Sequence, residues 1–64
     1  MNAIKKFREG NGITKKWLAR QLGISRSALW RYERGYVQPP KSVIFHAASL
    51  LHVSPEELTN EINK

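Results

Sequence analysis

Residues 14–35, TKKWLARQLGISRSALWRYERG, read as two short helices joined by a tight turn. Thr14 suits the N-cap of a first helix over residues 15–22, because its hydroxyl can accept from amides that the first turn leaves unpaired. Gly23 stops that helix, since glycine reaches the left-handed conformation of a helix C-terminus without a Cβ clash. Ile24 follows as a buried plug, Ser25 caps a second helix running through Arg34, and Gly35 ends it in the same way. So short a link obliges the helices to meet at a steep angle, the helix-turn-helix arrangement that can set a helix into the major groove of DNA.

At 100° per residue the second helix divides into two faces. Ala28, Leu29, Tyr32 and Glu33 fall on one side; Ser27, Trp30, Arg31 and Arg34 fall on the other, with Arg26 at the boundary near the N-terminus. The first face packs and the second is presented. Arginines, a hydroxyl and a tryptophan form an odd surface for a helix without a partner.

Working outward, the chain has 64 residues, no cysteine and no apolar run long enough to cross a membrane. Lys5, Lys6 and Arg8 lead into glycine and polar residues, not into the apolar stretch of a signal peptide. The expectation is one small cytoplasmic domain over residues 1–64, with no membrane role. So short a chain buries a modest core and needs well-packed helices, a dimer partner, or both.

The net charge is +6, and it is unevenly placed. Residues 1–34 carry nine Lys or Arg against Glu9 and Glu33, whereas residues 35–64 carry Lys41 and Lys64 against Glu56, Glu57 and Glu61. Basic residues gathered on one part of a chain are the footprint of a polyanion binder. A merely solvated surface is the plainer alternative, but solubility does not require that asymmetry.

A first helix is expected over residues 2–9, with Ile4 and Phe7 inward, ended by Gly10, Asn11 and Gly12. Trp17 is read as partly buried against Ile13 and Gln21, a DNA-backbone or protein contact being the other reading; Arg20 faces solvent or phosphate. Tyr36, Val37, Gln38, Pro39, Pro40 and Lys41 form a loop fixed by two prolines. A fourth helix over residues 42–51 carries Ile44, Ala47, Ala48 and Leu51 at core spacing, with Phe45 beside that stripe. Ser54 then caps a last helix through Ile62, with Pro55 in its first turn, Glu56 and Glu57 complementing the dipole, and Leu58 and Ile62 on one face. His46 and His52 lack the Cys, Asp or Glu partners of a zinc site, so no metal and no cofactor is expected. No catalytic set of Ser, His and Asp or of Cys and His is plausibly spaced, which makes an enzyme the weakest class of function.

The order of Arg8, Leu18, Ala19, Gly23, Ser25, Tyr32, Glu33, Gly35 and Pro39, followed by Leu51, Val53, Ser54 and Leu58, resembles the Cro/repressor family of bacterial and phage regulators, often called Xre-type. The resemblance runs through nearly the whole chain and implies an all-α, lambda-repressor-like bundle of five short helices, with the helix-turn-helix at about 14–35. It implies an ion pair between Arg8 and Glu33. It places Arg26, Ser27 and Arg31 at base-contacting positions, where arginine can bond guanine O6 and N7 for roughly 1–3 kcal/mol of discrimination per pair. Trp30 faces the same way and could meet a thymine methyl or a sugar, although a buried aromatic is also compatible with its type. Lys15, Lys16, Arg34, Tyr36, Gln38 and Lys41 are expected on the phosphate backbone, a rigid connector being the equal alternative for the proline loop. Two departures stand out: Lys41 occupies a position often apolar in the family, and His52 one often glycine, which puts a left-handed turn there in question.

Two functions of different class follow from that resemblance. One is a sequence-specific regulator of transcription, a repressor acting as a homodimer on a palindromic operator of double-stranded DNA, with half-sites about 34 Å apart and no small-molecule effector. The other is a protein-partner module, a DNA-binding antitoxin or a restriction-modification controller. A basic amphipathic membrane-surface module is disfavoured, because the apolar residues are spent on a multi-helix core. For the dimer, the candidate surface combines the last helix with Val53 and Phe45.

Overall fold

A computed structural model describes residues 3–59. It contains five helices: α1 (Ile4–Gly10), α2 (Lys15–Leu22), α3 (Arg26–Arg34), α4 (Lys41–Leu51) and α5 (Pro55–Thr59). No strand occurs among the described residues. The fold is all-α, as the capping and periodicity predict. The boundaries differ from the sequence reading in α1, which starts at Ile4 with Ala3 as its N-cap and continues to Gly10, and in α4, which takes in Lys41. Asn2 and the last helix's expected run to Ile62 lie outside the described residues.

α4 is the hub, packing against α5, α2 and α1, while α2 packs against α3. Ile44, Ala47, Ala48 and Leu51 are buried along α4 at the i, i+3, i+4, i+7 spacing of one helical face. They meet Ile4 of α1, Leu18 and Ala19 of α2, Leu29 of α3 and Leu58 of α5 in a single core. Burial of each large aliphatic contributes about 1.5–3 kcal/mol. Ala3 closes the bundle, its amide donating to the Leu58 carbonyl at 3.3 Å.

The starts of α2, α3 and α5 are built by side chains. Thr14 Oγ1 accepts from the Trp17 amide at 3.1 Å and Ser25 Oγ from the Ala28 amide at 3.0 Å. At α5 the cap is reciprocal: the Ser54 amide donates to Glu57 Oε2 at 2.7 Å while the Glu57 amide donates to Ser54 Oγ at 3.4 Å.

The helix ends repeat one device. After each of α1 to α4 a residue takes positive φ, namely Gly12, Gly23, Gly35 and His52. The next amide then donates to the carbonyl five residues back at 3.0 Å: Ile13 to Arg8, Ile24 to Ala19, Tyr36 to Arg31 and Val53 to Ala48. Ile13, Ile24 and Val53 turn onto the core. Tyr36 points outward, 67% exposed. The left-handed turn questioned at His52 does form, at φ 59, without a glycine.

Candidate nucleic-acid interface

The presented face of α3 is fixed from behind. Leu29 and Glu33 are buried, Ala28 and Tyr32 are half-buried, and Arg26, Ser27, Trp30, Arg31 and Arg34 are exposed. Arg8 supplies the anchor. Its Nε donates to Glu33 Oε2 at 2.7 Å, one terminal nitrogen donates to Glu33 Oε1 at 3.3 Å, and the other donates to the Ile13 carbonyl at 2.9 Å. One buried guanidinium therefore binds α1 to α3 and to the turn before α2. A buried charge pair is tolerable only when its polar atoms are satisfied. Among the described residues no buried side-chain nitrogen or oxygen lacks a partner.

In front of that anchor lie two adjoining depressions. The first, about 500 Å³, is lined by Lys15 from α2 and by Arg26, Ser27, Trp30 and Arg31 from α3. It contains no carboxylate. The second, about 280 Å³, is lined by Lys5, Lys15, Trp30, Glu33, Arg34 and Tyr36. Trp30 and Lys15 border both.

Trp30 is held as a partition between them. Tyr36 meets its ring edge-on at 5.4 Å and 62°, and Arg34 Cζ lies 4.8 Å from its centroid. With those neighbours it is still 37% exposed. The outward turn of Tyr36 at the end of α3 thus has a use: it braces the tryptophan. Trp17 borders Gly12, Ile13 and Thr14 in a separate depression and is 44% exposed, more open than its expected packing against Ile13 and Gln21.

The backbone-contact candidates do not all gather here. Tyr36 and Arg34 belong to the α3 face, and Lys16 is exposed on α2 without lining either depression. Gln38 and Lys41 border a third depression of about 460 Å³ with Pro39, Ile44, Phe45, Pro55, Glu56 and Thr59. Phe45 is 57% exposed there. Sequence reasoning missed Lys5. The signal was present, because Lys5 lies three residues before Arg8 and so shares the side of α1 that reaches α3.

Among the described residues no helix is long and apolar enough to cross a membrane, and no three His, Cys, Asp or Glu gather as metal ligands.

Two helices across a three-residue link, the second anchored from behind and basic in front, define a helix-turn-helix protein. The family described as "Helix-turn-helix domain" matches residues 3–60. The chain is also 42% identical, over 55 residues, to an uncharacterized HTH-type transcriptional regulator, YazB, of Bacillus subtilis (strain 168); the match covers 86% of this chain and 80% of that protein. No solved structure matches the chain. The chain belongs to the Xre/Cro-type helix-turn-helix family.

Proposed function

We propose that the protein is a DNA-binding regulator of transcription that lays α3 in the major groove, with residues 1–64 acting as one DNA-binding domain in the cytoplasm. The observation that carries this reading is the first depression: two arginines, a serine and a tryptophan of one helix, joined by a lysine of the preceding helix, with no acid among them. Such a lining suits a polyanion whose base edges offer acceptors. Arg26, Ser27, Trp30 and Arg31 read bases, and Lys15 and Arg34, which line one depression beside them, contact the phosphate backbone.

A helix this short samples few base pairs, so the working unit is a homodimer on a two-fold symmetric operator, with half-sites about 34 Å apart. Phe45 and the apolar depression beside it supply the contact surface. Bound over a promoter, the dimer excludes polymerase by bulk, which makes it a repressor. The same exposed phenylalanine also supports the second reading, a DNA-binding antitoxin or controller whose partner is another protein; co-purification of a stoichiometric partner would decide for it.

The test is selection of sites from random duplex DNA by the purified protein at physiological salt. An enriched inverted repeat with guanine in each arm is expected. Enrichment of no sequence would remove the readout assigned to α3.

A further inference from the structure

The second depression is not needed for base reading, yet three cations from three helices converge on it: Lys5 of α1, Lys15 of α2 and Arg34 of α3. Its one acid, Glu33, is already spent, both carboxylate oxygens accepting from Arg8 at 2.7 and 3.3 Å. The depression therefore carries an uncompensated positive charge. Tyr36 adds a phenolic hydroxyl to the same lining. Arg34 is held by the Trp30 ring at 4.8 Å, and an arginine held by a ring rather than by a carboxylate keeps its charge and its donors available to an anion. At about 280 Å³ the space admits a phosphate group with bridging waters, each of which needs roughly 30 Å³.

We infer that this depression holds a single DNA backbone phosphate, with Lys5 as a contact residue, and that Trp30 is the wall separating that phosphate from the bases read on its other side. The inference rests on the DNA-binding reading above and adds to it a defined phosphate site. A phosphate seated behind Trp30 fixes how far α3 lies along the groove, so the site sets register without itself reading sequence. It also assigns a role to α1, which otherwise serves only the core and the Arg8 anchor.

The test uses the full chain and a duplex carrying a site enriched by the selection described above, in which each backbone phosphate in turn is replaced by an uncharged methylphosphonate. Wild-type protein is expected to lose affinity at a discrete position in each half-site. Lys5→Ala, at an exposed position whose folding is checked by circular dichroism, is expected to be insensitive at that same position. It should also bind every duplex about fivefold more weakly at 0.15 M salt, with a salt slope lower by about 0.9. Lys5→Arg should restore both. If Lys5→Ala keeps the wild-type salt slope, or if its methylphosphonate profile matches the wild type's, the phosphate site is wrong while the DNA-binding reading stands. If wild-type protein binds no duplex at all, the DNA-binding reading fails and the site fails with it.

Discussion

Arg8 Nε lies 2.7 Å from Glu33 Oε2 with both side chains withdrawn from water, so a charge pair separated by 25 residues in sequence sits inside the bundle. Removing one partner leaves the other charge buried and uncompensated, at a cost of about 3–5 kcal/mol. A chain of this size has on the order of 3–10 kcal/mol in all. Glu33→Ala is thus expected to lose about 3–5 kcal/mol, a third or more of the total, as read by urea titration followed by circular dichroism. The paired change Arg8→Met with Glu33→Leu should recover most of the loss. A cost below about 1 kcal/mol for the single variant, the range of an exposed pair, would contradict the anchoring role.

His52 occupies the left-handed region at φ 59, where a Cβ is penalised by about 1–2 kcal/mol. Part of what glycine would recover there is returned as extra unfolded-state entropy, about 0.4–1 kcal/mol. His52→Gly should therefore stabilise the fold by about 0.5–1 kcal/mol, a rise of several degrees in Tm for a domain this small. A lower Tm would mean that the imidazole makes a contact that outweighs the strain.

Arg31 and Lys15 border the same depression from different helices, yet they should fail differently. Arg31→Ala should relax preference at one base position, at about 1–3 kcal/mol, when binding is compared across a set of single-base operator variants. Lys15→Ala should weaken all of those duplexes alike and reduce the salt slope by about one. Identical behaviour of the two variants would show that Arg31 reads no base.

Phe45 offers the clearest handle on the proposed dimer, because its side chain is 57% exposed and contributes little to the core. Phe45→Asp should leave the thermal transition of the monomer nearly unchanged while shifting sedimentation from dimer to monomer. Affinity for a two-arm operator should fall towards that for a single arm. A dimer that survives this change is built on another surface.

What was legible in the chain is what neighbouring residues decide. Thr14, Gly23, Ser25 and Gly35 act within a few residues of themselves, and they mark α2 and α3 at the boundaries the structure has. The facing of α3 is equally local, a matter of 100° steps from Leu29. The rest depends on where separate helices land. Lys5 joins the α3 face only because Arg8 draws α1 against Glu33, and Pro55, Glu56 and Thr59 come beside Lys41 and Phe45 because α5 folds back on α4. At His52 the family resemblance pointed to glycine, and the packing of Val53 and Leu51 on the core imposes the turn regardless. The outward course of Tyr36 agrees with the surface position expected for it, whereas its packing against Trp30 is set by how the chain leaves α3.

The stops at the two ends of α3 also act as a ruler. Between the Ser25 cap and Gly35 there are nine helical residues, a rod of about 13.5 Å at about 1.5 Å per residue. Base pairs advance by about 3.4 Å each, so a rod of that length spans about four of them. A word of four letters recurs throughout any genome, where roughly a million or more competing sites are on offer. The backbone angles at one glycine and one serine therefore fix the vocabulary of a single copy, and the proposed pairing of two copies would lengthen the word to about eight letters.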